Sequence, residues 1–340
     1  MFKLFFRPIA IMLAALVIAG VLSVALIYKS GADSAKNETN ADGTVEDALT
    51  GLKDDKAYGR PLCILIVGKD KASGLADVIM LASFNKSTGK ACILQIPRDT
   101  YADYGGSYFK INGALRALGE EGMCQFLSEA MAIEIDGYIS LELEGFRALV
   151  DAIGGVEMNV ERALKYSDPY QNLYIDLPAG NQVLDGKQAE MLVRYRSGYA
   201  RGDLDRLDVQ KKFLAAFFVS LKKKITPFNI YSVASSTLPY LKTNISAGEL
   251  VSLGISIISV DNGDISIATL PGEDSISSIS GGSFYVASAP SSAELLEKYF
   301  FAEQGGFDKK RCFLHPSLES FKVIYQKKVE NRVFLANELK

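Results

Sequence analysis

The first pattern along the chain is residues 8–28, PIAIMLAALVIAGVLSVALIY, an apolar run without a charge. A helix of that length crosses the hydrocarbon core of a bilayer. Residues 30–57 then turn polar, small and acidic, a composition that buries too little apolar surface to fold and reads as a stalk. Short β-branched apolar runs at 61–67, 78–84 and 91–96 predict buried strands, with a turn at 85–90 between the second and third. Helical spacing covers 112–131, 145–153, 187–194, 203–224 and 291–300. Further strands are expected at 138–143, 156–160, 265–270 and 283–287, with Gly154-Gly155 as punctuation. Strands interleaved with helices predict an α/β fold, a central sheet covered by helices.

Charge orients the apolar run. Lys3 and Arg7 precede it and Lys29 follows, which favours a cytoplasmic N-terminus (1–7) and an external bulk. The run is long for a signal peptide, so a retained anchor is expected rather than a cleaved leader. Residues 29–59 then form an extracytoplasmic linker, and folding starts near Arg60. Residues 226–300 are expected to continue the same α/β domain, and 301–340 form a tail to which no role is assigned.

Composition narrows the chemistry. Of 340 residues 48% are hydrophobic and 23% charged, enough for a real core. A net charge of -3 with scattered basic residues argues against nucleic acid as a partner. The single histidine, His315, stands beside Pro316, which removes Ser-His-Asp catalysis and multi-histidine metal sites. Cys63, Cys92, Cys124 and Cys312 form no CxxC pair and are read as neither nucleophiles nor ligands. What remains is carboxylates, arginines and a hard cation.

Asp70 and Asp77, in GKDKASGLADVIML, follow the first strand on one loop, a pair suited to Mg²⁺. Arg98 follows Pro97 at the tip of the third strand, where a planar guanidinium fits phosphate oxygens. Lys110 precedes Asn112, an N-cap candidate, and reaches an anion held at that helix N-terminus. Arg194-Tyr195-Arg196 is followed by Arg201, Asp203, Arg206 and Gln210, of which the last three share one helical face. Arg194 and Arg196 diverge on a helix but converge if the chain becomes extended after Val193.

Taken in order, GKD, LADVIML, IPRDTY, KINGAL, DGYISLELEGF, LVDAIGGVEMNV, LDGKQAEMLVRYR and GDLDRLDVQ resemble the LytR-CpsA-Psr family over about 62–221. The resemblance implies a three-layer αβα-type domain with a central mixed sheet, a core at 60–225 and a channel for a polyprenyl chain. It also implies an extracytoplasmic, Mg²⁺-dependent transferase in a Gram-positive-type envelope. Its substrate would be a phosphoglycan of teichoic acid or capsular polysaccharide type on a polyprenyl pyrophosphate carrier. Its acceptor would be peptidoglycan, with pyrophosphatase as a side activity. By motif, Asp70 and Asp77 would hold the metal, and Asp77 and Arg98 would be catalytic. Arg98, Lys110, Arg194, Arg196, Arg206 and Gln210 would bind phosphate and lipid.

Two positions depart from the family pattern. Leu75 and Val209 stand where many members carry arginine. The alternative is therefore a weak or inactive polyprenyl-phosphate binder serving envelope assembly or regulation, with Arg201 or Lys71 as compensating charges.

Overall fold

A computed structural model of the protein describes residues 61–69, 74–85, 87–104, 107–169, 173–195, 203–224, 236–245, 260–300, 319–331 and 333–336, with single residues at 197, 233, 316 and 338. The expected membrane run 8–28, the stalk, Asp70, Arg196, Arg201, Cys312 and His315 lie outside the described residues. Among the described residues no helix is long and apolar enough to cross a membrane.

In chain order the strands are β1 (Leu62–Lys69), β2 (Ala76–Asn85), β3 (Lys90–Ile96), β4 (Tyr101–Tyr104), β5 (Ser107–Lys110), β6 (Gly137–Glu142), β7 (Val156–Val160) and β8 (Leu164–Asp168). They continue as β9 (Leu173–Leu177), β10 (Gly180–Leu184), β11 (Leu241–Thr243), β12 (Ile265–Thr269), β13 (Gly272–Ile276), β14 (Ser283–Ala287) and β15 (Val333–Leu335). The helices are α1 (Gly113–Met131), α2 (Leu143–Ala152), α3 (Gly186–Arg194), α4 (Asp203–Lys224), α5 (Ala289–Phe300) and α6 (Glu319–Gln326). The chain divides into two compact units, one drawn from Arg60–Ser140 and Asp261–Leu339, the other from Leu141–Val260.

The first unit is built on a mixed sheet in the order β6-β1-β2-β3-β12-β15. β1, β2 and β3 pair antiparallel, β12 joins β3 in parallel, and β15 pairs antiparallel with β12. Cys63, Leu65, Val67, Ile79, Leu81, Leu94 and Ile96 line one face, in one core with Leu127 of α1 and Leu296 of α5. The other face, with Ile64, Ile66, Met80 and Ile93, is buried as well. Burial on both faces is why these strands read as continuous apolar runs rather than alternating ones.

Several expectations need correction. Asp77 stands inside β2, not on the loop before it. α1 is not continuous: Gly119 has φ 73° and breaks it after its second turn. Asn112 precedes α1 but makes no side-chain cap bond. β14 stands where a strand was expected, at 283–287, whereas its partner β13 and the β4–β5 and β8–β9 hairpins were not among the expected strands, although β9 does alternate buried and exposed positions. The tail contributes α6 and β15, and Phe321 of α6 is fully buried against Tyr101 and Phe284, with ring centroids at 5.4 and 5.8 Å.

The second unit packs α2, α3 and α4 with the β7–β10 pair and the β8–β9 hairpin. α2 ends at Gly154-Gly155, both at positive φ (75° and 82°), where a side chain is disfavoured. Lys224, in the basic last turn of α4, donates to the carbonyls of Gly154 and Gly155 at 2.9 and 2.8 Å. Lys224 thus serves the loop that ends α2, whereas Lys222 donates to Val260 O and Lys223 pairs with Glu157. α3 opens with a capping box: Asp185 Oδ1 accepts from Gln188 N at 2.7 Å and Gln188 Oε1 from Asp185 N at 3.1 Å.

Candidate functional site

Three of the expected site residues of the first unit come together through backbone closure. β4 and β5 pair with Tyr101 opposite Lys110, so the hairpin returns Lys110 to the segment that follows Pro97. Ile111 N then donates to Thr100 O at 2.9 Å and Asn112 N to Arg98 O at 3.1 Å. Asn112 O in turn accepts from Ala76 N at 3.1 Å. The β2–β3 register, with Ile79 opposite Ile96, brings Asp77 to face Arg98 two residues further on, and the Ile111–Asn112 segment ties the two strand ends together.

Arg98 Nη1 donates to Asp77 Oδ1 at 2.9 Å, and both side chains are buried. Asp99, the next residue, pairs through Oδ1 with Lys110 Nζ at 3.0 Å, and its Oδ2 lies 4.0 Å from Arg98 Nε. Two carboxylates and two cations thus alternate, Asp77, Arg98, Asp99 and Lys110. Asp77 and Arg98 are shielded from water, while Asp99 and Lys110 are partly exposed. Lys110 Nζ also lies 5.6 Å from the centre of the Phe284 ring. Tyr285 N donates to Asp99 O at 2.9 Å, and Thr100 forms a β-bridge with Tyr285, so β14 braces the loop from outside. Asp99, Thr100 and Tyr285 were not among the expected site residues. Asp99 was visible in the Arg-Asp pair, whereas Tyr285 is brought in by a segment almost two hundred residues away and left no local signal.

Arg194 and Gln210 belong to the second unit. Gln210 is fully buried; its Nε2 donates to Val193 O at 2.9 Å, fastening α4 to the last turn of α3. Its Oε1 is buried with no hydrogen-bond partner among the described residues. The chain does become extended where the Arg-Tyr-Arg segment begins, but one residue later than Val193: Arg194 ends α3 and Tyr195 is extended. Arg194 Nη1 is consequently held by Glu190 Oε1, one turn back, at 2.5 Å. The other oxygen of the buried Glu190 pairs with Arg147 Nε of α2. Burial pulls the Arg147 guanidinium down, but the hydrogen bond and charge of Glu190, with Glu144 and Asp151, carry it above its usual value. The spacing of Glu190 four residues before Arg194 was a readable signal for this pair; the participation of Arg147 was not. The side chain of Arg206 lies outside the described residues.

Three of the four cysteines are described, and all three are core thiols. Cys63, Cys92 and Cys124 are buried. Burial, with Glu121 adding to it, pushes the Cys124 thiol up to about 12, and burial raises Cys92 further. Among the described residues no group of three or more His, Cys, Asp or Glu gathers as a metal cage.

The sequence pattern of the LytR_cpsA_psr family matches residues 23–300. The chain belongs to this family. Among LytR_cpsA_psr relatives, the probable cell wall biosynthesis protein LcpB of Corynebacterium glutamicum is 32% identical over 243 residues, covering 65% of this chain and 56% of LcpB. The polyisoprenyl-teichoic acid–peptidoglycan teichoic acid transferase TagU of Oceanobacillus iheyensis is 34% identical over 163 residues, covering 45% of this chain and 49% of TagU. The chain thus spans about half the length of the curated relatives it matches. The fold is that of the LytR-Csp2A-Psr enzyme from Actinomyces oris, with TM-score 0.60 at 22% identity over 74% of this chain and 91% of that one. The mixed sheet with flanking helices is the family fold.

Proposed function

We propose that the protein transfers a phosphoglycan from a polyprenyl pyrophosphate carrier to a peptidoglycan hydroxyl on the outer side of the membrane. The observation that carries this reading is the buried Asp77–Arg98 pair with Asp99 and Lys110 beside it. Phosphoryl transfer asks little covalent chemistry of a protein; it asks for positioning and for charge held where the transition state needs it. In the proposed step the acceptor hydroxyl attacks the glycan-bearing phosphorus and its proton passes to Asp77. The bond to the bridging oxygen breaks, and polyprenyl phosphate leaves with the electron pair. Arg98 and Lys110 offset the charge on the phosphate oxygens. Arg194, Arg196, Arg206 and Gln210 are assigned to phosphate and lipid binding on the family resemblance. The buried Oε1 of Gln210, which has no hydrogen-bond partner among the described residues, supports a polar ligand for that residue.

Mg²⁺ is part of the proposal. The four-member cluster is charge-balanced, so a dication would enter with its anionic pyrophosphate rather than alone. Hard carboxylate oxygens suit Mg²⁺, and among the described residues the cluster offers no softer donor. Asp77 would hold it with Asp70, and the ion would neutralise charge on the phosphates.

TagU is named as a transferase of teichoic acid, which supports the cargo class. The second reading, a lipid-phosphate binder without turnover, has Leu75 and Val209 in its favour. The test uses the full chain in phosphatidylglycerol vesicles containing a polyprenyl pyrophosphate-linked glycan, Mg²⁺ and peptidoglycan. Release of polyprenyl phosphate by the wild type, absent in Asp77→Ala and Arg98→Ala, supports the transferase. Retained lipid binding without release in the wild type moves the assignment to the binder.

A further inference from the structure

Three large apolar side chains stand out as the most exposed among the described residues: Ile276 at 67%, Ile279 at 73% and Val323 at 70%. The first two belong to one feature, the end of the β13–β14 hairpin. From Ser275 to Ala293 the chain carries no charged residue. Its turn is also closed upon itself. Ser277 N donates to Gly282 O at 2.8 Å and Gly281 N to Ser277 O at 2.9 Å. Ser277 Oγ accepts from Ile279 N at 3.3 Å and from Ser280 N at 3.2 Å. An uncharged tip with exposed isoleucines is poorly suited to water. Because these backbone donors are already engaged, the usual obstacle to placing a turn against hydrocarbon is reduced.

Charge returns below the tip, first at the exposed Asp274, two residues before Ile276. Glu273 pairs with Lys327 at 2.6 Å, and Lys110 lies against the Phe284 ring. Apolar tip and charged collar are the arrangement of an interfacial wedge, in which isoleucines enter the acyl boundary and ionic groups remain among the headgroups.

We propose that the Ser277–Gly282 turn is a membrane-contact element, with Ile276 and Ile279 resting in the interfacial layer of the bilayer. The inference rests on the reading of residues 8–28 as a membrane anchor, which would hold the domain within reach of the lipid surface. Its consequence concerns the site. Tyr285, which binds the Asp99 carbonyl, is two residues from Ser283, or about 7 Å along a strand. Lipid contact at the tip would therefore set the height of the Arg98–Asp99 loop above the bilayer, where a lipid-borne pyrophosphate emerges.

The sequence contains no tryptophan, so one introduced indole reports without background. The experiment places Ile279→Trp in the full chain, reconstituted into phosphatidylglycerol–phosphatidylcholine vesicles with plain or brominated acyl chains. Flotation reports the anchor separately. The expected result is a blue-shifted emission that brominated chains quench by about twofold, weakened by adding Ile276→Ser. A chain that floats while the indole at 279 keeps a water-like emission, quenched by aqueous iodide, overturns the contact and leaves the anchor standing. A chain that does not float overturns both. A blue shift that depends on protein concentration and ignores bromine also overturns the lipid assignment and identifies the partner as a second copy.

Discussion

The Asp99 carboxylate sits between Arg98 and Lys110, 4.0 Å from the guanidinium of one and 3.0 Å from the ammonium of the other. The two cations that the phosphate hypothesis requires are therefore spaced by an acid rather than left to repel each other. A bound phosphate would compete with Asp99 for both. Asp99→Asn is expected to tighten binding of inorganic pyrophosphate several-fold at low salt by removing that competition. Isothermal titration in low and high salt checks it; weaker binding in both would mean that Asp99 serves the ligand instead.

The Asp77–Arg98 pair makes a sharper claim about stability. Both side chains are buried, so removing one leaves its partner's charge without its main counter-charge in a low-dielectric setting. Asp77→Ala or Arg98→Ala should each cost about 3–5 kcal/mol, and the double variant clearly less than their sum. Urea unfolding of the four proteins measures the coupling. Simple additivity would contradict the pairing.

In the second unit, Glu190 is the common anion of two arginines. Glu190→Gln should cost about 3 kcal/mol, because Arg194 is buried, whereas Arg147→Ala should cost no more than about 1 kcal/mol, because that side chain is 41% exposed. Equal losses in thermal unfolding would argue against this ranking. Gly186, at the start of α3, tests the same helix crossing. A Cβ there would fall inside contact distance of the Arg147 backbone, so Gly186→Ala is expected to destabilise by about 1–3 kcal/mol.

The tail is predicted to be structural. Phe321→Ala empties a site shared with Tyr101 and Phe284, and should cost about 3–5 kcal/mol. Hydrogen exchange should quicken in β4, β5 and β14 ahead of the central strands. Unchanged protection there would mean that the aromatic cluster does not hold the hairpins.

The thiols give a pH test. The Cys124 pKa rises from the ordinary 9.0 to about 12 in the fold, so the folded state retains a proton that the unfolded chain releases. Its stabilising contribution is full below pH 9.0 and is lost as pH climbs from there towards about 12. In a Cys312→Ser background, maleimide should label the native protein negligibly at pH 9 and label Cys63, Cys92 and Cys124 in urea. Rapid native labelling would show that the core thiols are open.

Much of the fold was legible because it is written locally. The apolar runs of β1, β2 and β3 and the spacing of α2 and α3 each need only a few neighbouring residues to be recognised. The Asp-x-x-Gln spacing that opens α3 is a start signal of the same kind. The polar residues of the site could also be named, because Arg98 after a strand-ending proline and Lys110 before a helix are unusual in their setting. The short hairpins escaped because Tyr101–Tyr104 and Ser107–Lys110 are held by pairing with each other, and neither run has an apolar period of its own. The tail escaped for a similar reason: β15 exists as an extension of β12, three residues long.

By itself, then, the sequence determined which residues are available for charge chemistry, the order of the main strands and helices, and the family. Tertiary structure decided the partners that are not neighbours on one helix, as Glu190 and Arg194 are. Asp77 meets Arg98 because the β2–β3 register, with Ile79 opposite Ile96, makes them face each other two residues further on. Lys110 meets Asp99 because of the β4–β5 register, and Arg194 shares Glu190 with Arg147 because α2 packs on α3. Periodicity is a property of neighbours along the chain, whereas the Asp99–Lys110 and Arg147–Glu190 pairs are fixed by register and packing between separate elements, which no periodic pattern encodes.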